Sequence, residues 1–110
     1  MKIPDKVPEK GFYYHYKHVA GEPINHYAYE VIGVGCHTED NCRPEDATMV
    51  IYRPLYEASV YKAGKLYDLR PQEMWMENVI KDGLTMPRFT KITNQSVINA
   101  LKEIRRQMYE

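Results

Sequence analysis

No stretch of this 110-residue sequence stays apolar long enough to cross a bilayer, and Met1-Lys2-Ile3-Pro4-Asp5 lacks the plan of a signal peptide. The expected setting is the cytoplasm, with no membrane partner. Cysteine is scarce too. Cys36 and Cys42 make no disulfide framework, and in a reducing compartment both are expected as free thiols. Net charge is absent, because fifteen basic residues balance fifteen acidic ones. A dedicated nucleic-acid binder usually carries a basic excess, so the balance weighs against that class. There are no repeats and no low-complexity segments. There is no nucleophile elbow, phosphate loop, Cys-x-x-Cys or His-x-x-x-His pair, so catalysis and metal binding have no motif behind them. Disorder is excluded from the other side: a hydrophobic content of 44% suffices for a folded chain of one domain with one modest core.

What the sequence does have is tyrosine, ten residues against two Phe and one Trp. Tyrosine suits half-buried sheet surfaces, where the ring packs and the hydroxyl reaches water or a partner. That composition points to a small β-rich domain. A tyrosine-rich binding face is the alternative use of the same residues.

Residues 1–10, punctuated by Pro4 and Pro8, read as a loose leader, and 11–110 as the single domain. Phe12 to Lys17 has strand composition, with Phe12, Tyr14 and Tyr16 on one face and Tyr13, His15 and Lys17 on the other. Gly21, Pro23 and Asn25 mark a turn before a second strand over 27–37. There Tyr29, Val31 and Gly33 should face one way, and Glu30, Ile32 and Val34 the other. Residues 38–46 form a polar loop with four acids and one base. Thr48 to Tyr56 is the strongest strand, and Pro54 requires a bulge or an edge there. Ser59-Val60-Tyr61 and Lys65-Leu66-Tyr67 flank Lys62-Ala63-Gly64 as a hairpin, with Gly64 at a positive φ. A short helix is expected over 71–81, started by Pro71 and stopped at Asp82-Gly83. Pro87 to Ile92 reads as a last strand. Asn94 caps a final helix over 94–109, whose stripe is Val97, Ile98, Leu101, Ile104 and Met108. The fold class is mainly β: a small, strongly bent antiparallel sheet with two helices.

Six short motifs stand in order: Gly11-Phe12-Tyr13-Tyr14-His15-Tyr16-Lys17, Tyr29-Glu30-Val31, His37-Thr38-Glu39, Val50-Ile51-Tyr52-Arg53, Leu69-Arg70-Pro71 and Pro87-Arg88-Phe89. Together, over roughly residues 11–89, they resemble the bacterial DUF1653 family, which carries no established activity. The resemblance implies an SH3-like β-barrel. Against the shorter members, 18–28 and 41–47 look like insertions.

Arg53, Arg70 and Arg88 each adjoin a proline and lie at expected strand ends. Guanidinium forks bind carboxylate or phosphate bidentately, so three that converge, with His37, Tyr52 and Glu39 beside them, would make an anion site. The competing reading pairs each arginine with a local acid such as Glu39, Asp40 or Glu73. Cys36, His37, Glu39, Asp40 and Cys42, with His15 or His18, hold competent metal ligands at no standard spacing, so no metal or cofactor is expected. His37 beside Glu39 as a base, with Cys36 or Cys42 as nucleophile, is an unsupported catalytic reading and ranks last. Tyr13, Tyr52, Tyr56, Tyr61 and Tyr67, interleaved with Lys17, Arg53, Lys62, Lys65 and Arg70, would suit base stacking and phosphate contact. The leading expectation is therefore a β-barrel binding module. Its partner would be a small anionic or phosphorylated ligand, or a nucleic-acid phosphate, held by Arg53, Arg70 and Arg88. The runner-up is a structural or protein-interaction module using the tyrosine-rich edge and the final helix, which could dock on a second copy.

Overall fold

The alternating aromatic and β-branched runs do become strands. The computed structural model describes residues 7–39 and 47–110. In chain order these form β1 (Gly11–His15), β2 (Ala28–Cys36), β3 (Thr48–Pro54), α1 (Ser59–Lys62), β4 (Asp68–Pro71), α2 (Gln72–Trp75), β5 (Asn78–Lys81), β6 (Leu84–Pro87), β7 (Phe89–Lys91) and α3 (Gln95–Tyr109). An antiparallel sheet runs β4-β3-β2-β1-β7, and β5 and β6 pair separately. Among the described residues no ladder joins β4 to β7, so the sheet is open. The leader lies mostly, and the acidic loop with Asp40 and Cys42 almost wholly, outside the described residues. No described helix is long and apolar enough to cross a membrane.

Both faces of the sheet are covered, each by its own core. On one face Tyr13, Val31, Val50, Tyr52 and Phe89 gather around Trp75 of α2. The Trp75 ring lies flat on Phe89 with centroids 3.6 Å apart, and meets Tyr52 and Tyr13 edge-on at 4.8 and 5.5 Å. On the other face Phe12, Ala28, Leu55 and Ile92 receive Leu101 of α3, flanked by Val97, Ile98, Ile104 and Tyr109. Burying a residue such as Leu101 contributes about 1.5–3 kcal/mol, enough for this stripe to hold a helix that no short peptide would sustain alone. The Asn94 side chain accepts from the Ser96 and Val97 backbone N–H groups, the expected cap. Tyr109 takes the last place in the stripe that the helical period assigns to Met108, and its hydroxyl donates to the Pro54 carbonyl.

The alternation expected of β1 holds. In β2 it breaks, because the register with β3 shifts between Val31 and Gly33. The extra residue reverses the phase, so Val34 packs on the Val31 side instead of opposite it. Pro54 ends β3 beyond Tyr52, the last residue paired with β4. Leu55 N–H bonds to the Ala28 carbonyl, so position 54 faces the side where β4 has already ended. The missing N–H therefore costs the ladder nothing.

Two further expectations fail. Ser59 to Tyr67 is no hairpin: Lys62 and Ala63 donate to the carbonyls of Ala58 and Ser59, making a turn of helix. Left-handed Gly64 (φ 136°) and Lys65 (φ 56°) then close it, with Lys65 N–H on the Tyr61 carbonyl. The helix expected over 71–81 stops at Trp75, and Asn78–Lys81 is a strand. Asp82 (φ 53°) and Gly83 (φ 78°) are both left-handed, the backbone of a two-residue hairpin turn rather than of a helix stop. β-Branched Val79 and Ile80 favour the strand they occupy.

Candidate binding cavity

Register decides which face each candidate occupies. Arg70 stands opposite Val50 and Asp68 opposite Tyr52, so both lie on the α2 face. Arg53 stands opposite Glu30 and points to the α3 face. The three arginines therefore do not converge. Arg53 is bound to Glu30 at 2.9 Å, with its guanidinium 4.0 Å from the Tyr109 ring centre. Glu30 also takes Arg105 of α3 at 2.6 Å, so this cluster ties the last helix to the sheet. Arg88 donates to the Met74 carbonyl and pairs with Glu77 at 3.2 Å, fastening the segment after α2. His37 and Glu39 follow the far end of β2, where the Glu39 backbone N–H bonds His37 Nδ1. His37 lines a separate hollow with Gly35, Met49, Ile51 and Leu69, and Leu69 precedes Arg70 on β4 and faces the opposite way. Of the six candidates, only Tyr52 and Arg70 line one cavity.

What surrounds them is a cavity of about 310 Å³. Its polar side chains come from His15, Lys17, Tyr27, Tyr29, Tyr56, Ser59 and Asp68, besides Tyr52 and Arg70, and Phe89 closes one wall. Arg70 Nε donates to the Tyr52 hydroxyl at 3.2 Å, and the guanidinium lies 5.6 Å from the Phe89 ring centre. The Tyr29 and Tyr56 hydroxyls are hydrogen-bonded to each other. Tyr27 holds a left-handed backbone (φ 56°), unusual for an aromatic residue and of the kind that accumulates at functional sites. Its carbonyl accepts from His15 N–H, which fixes both residues at the rim.

Burial and neighbouring charges set the protonation of the cavity groups. Burial, then Lys17, Arg70 and Arg88, push His15 down to about 4, so its imidazole is neutral at pH 7. Burial raises the Asp68 carboxyl, with Arg70 opposing. Burial also raises Tyr29, Tyr52 and Tyr56, and Asp68 adds to the rise in each, so the hydroxyls stay protonated as donors. The cavity thus carries two cations, Lys17 and Arg70, and one acid, Asp68.

Sequence reasoning missed Tyr27, Tyr29 and Asp68 as site residues and raised His15 only as a metal ligand. The available signal was parity: Asp68 and Arg70 are two apart on one strand and share a face. The stacking platform imagined for nucleic acid is dispersed, because Tyr13 is buried in the core and Tyr61 meets Tyr109 edge-on beside α3. Among the described residues no group of His, Cys, Asp and Glu is placed to hold a metal.

The family model described as a protein of unknown function, DUF1653, matches residues 11–91. The chain belongs to the DUF1653 family. Neither a curated protein nor a solved structure matches it. The matched span contains every lining residue of the cavity, so in this DUF1653 chain the site is part of the family's own domain and not of α3.

Proposed function

We propose that this DUF1653 domain is a binding module whose cavity on the α2 face takes a small anionic or phosphorylated ligand on Arg70. One contrast carries the reading. Arg53 is neutralised by Glu30 and Arg88 by Glu77, whereas no carboxylate among the described residues lies within ion-pair distance of Arg70. Its Nε is held by Tyr52, which orients the fork, and its terminal nitrogens suit a bidentate oxyanion. Lys17 adds a second cation, and protonated tyrosine hydroxyls add neutral donors. The volume sits at the small end of ligand sites, which favours a metabolite-sized anion over a polymer. The test is a thermal-shift series at low salt with sugar phosphates and nucleotides. A ligand of the native state must raise the midpoint by mass action. The rise should vanish in a folded Arg70→Ala variant and shrink with ionic strength. A series without any shift refutes the reading.

A second reading, a protein-interaction module, draws on the apolar groups around the open β4 edge. Leu66, Tyr67, Leu69, Met74 and Met76 are all exposed there. The stripe of α3 is spent on the domain's own core, which leaves this edge as the surface in question. Sedimentation that is independent of concentration and unchanged by Leu69→Lys would count against self-association through it.

A further inference from the structure

The cavity is bipolar, and that property selects among anions. Asp68 and Arg70 are two residues apart on β4 and both face the cavity, opposite Tyr52 and Val50. Successive same-face positions on a strand stand about 7 Å apart, so an acid and a base are offered side by side at the spacing of a small molecule. The two groups are not an ion pair with each other. Arg70 is engaged through Tyr52, and Asp68 has no cation within ion-pair distance among the described residues. A half-buried carboxylate with only the field of Arg70 to offset its burial is costly, and a site meant only for an anion would be better without it.

We infer that the ligand is dipolar: an amine-bearing phosphate or carboxylate whose anion rests on Arg70 and Lys17 while its protonated amine or N–H donor is taken by Asp68. This rests on the anion-binding reading above and narrows it. The tyrosine rings help at the amine end, since Tyr29, Tyr52 and Tyr56 crowd Asp68 and a cation over such faces gains further attraction. A plain dianion of the same size would meet the Asp68 carboxylate with repulsion. Selectivity would thus come from one favourable and one unfavourable charge contact, acting on the same ligand atom position.

The matched probes are phosphoethanolamine and ethyl phosphate, which differ only in the amine. Titration of the full chain by calorimetry at low salt should show phosphoethanolamine binding at least about tenfold more tightly, the factor of one well-placed charged contact. Asp68→Asn should bring the ratio close to one, chiefly by improving ethyl phosphate, and Arg70→Gln should abolish both. Equal affinity for the two probes in the unaltered chain overturns this inference while the anion reading stands. A preference that survives Asp68→Asn overturns it equally. If neither phosphate binds, both readings fall. The comparison of probes in the unaltered chain decides the matter even should a variant fold poorly.

Discussion

Removing the carboxylate of Glu30 should loosen α3 from the sheet. Its side chain is 11% exposed, and it holds Arg53 (18%) at 2.9 Å and Arg105 (31%) at 2.6 Å. In Glu30→Gln both guanidiniums lose their only acid among the described residues, and they face each other across a neutral amide. Deleting one partner of a fully buried pair costs about 3–5 kcal/mol, because a charge is left desolvated without compensation. Arg105 is partly wet and the amide still accepts one hydrogen bond, so the expected cost here is about 2–3 kcal/mol. At this chain length that corresponds to a fall in the melting temperature of about 8–12 °C. Urea denaturation followed by far-ultraviolet circular dichroism measures it, with the m-value checking that the transition remains two-state. The stacking of Arg53 on Tyr109 adds a local signature: the Tyr109 ring resonances should shift in the variant. A stability change below about 0.5 kcal/mol would refute the reasoning, since that is what a solvated surface pair contributes.

His15 gives a pH prediction with a definite sign. Its folded pKa of about 4 lies below the ordinary 6.5, so the unfolded chain binds the extra proton first, and stability is full above pH 6.5 and declines as the pH falls toward 4. Allowing for partial exposure, the loss across that window is about 2 kcal/mol, and His15→Gln should flatten it in urea titrations at stepped pH. Trp75→Ala opens the core beneath Tyr52 and Phe89 and should cost about 3–5 kcal/mol by the same assay; a cost under 1 kcal/mol would contradict the packing. Gly83→Ala probes backbone alone. A Cβ at that position meets nothing within 4 Å, yet φ is +78°, so a loss of about 1 kcal/mol is expected and an unchanged midpoint would argue against the hairpin turn.

The elements legible in the sequence are those where composition and period agree. β1, β2, β3, β7 and α3 follow from tyrosine and β-branched alternation, and from Asn94 ahead of a helical stripe. The misreadings have one cause: local signals that serve two structures. Met74, Trp75 and Val79 fit a helical spacing, while Asp82-Gly83 between Val79-Ile80 and Leu84-Met86 fits a hairpin, and long-range packing of Trp75 on Phe89 selects the short helix. Val60 and Tyr61 have strand composition but occupy a helical turn that two left-handed residues close. For the site, Arg70 and Tyr52 were legible because they end the two strongest strand motifs. The separation of Arg53 was also present in principle, since neighbours on a strand face opposite ways. What no local pattern carries is the meeting of His15, Tyr27 and Phe89 with Asp68, which depends on pairings between residues far apart in the chain. The bulge at Ile32 adds a change of phase that composition does not announce.

Of the strand-end arginines, Arg70 alone should be available to an oxyanion. Arginine Nε–Hε resonances observed during a titration with inorganic phosphate at low salt test it directly. A saturable shift is expected at Arg70, accompanied by the ring signals of Tyr52 and His15, with Arg53 and Arg88 unmoved. Equal, non-saturating drift at all three arginines, or no movement at Arg70, would contradict it.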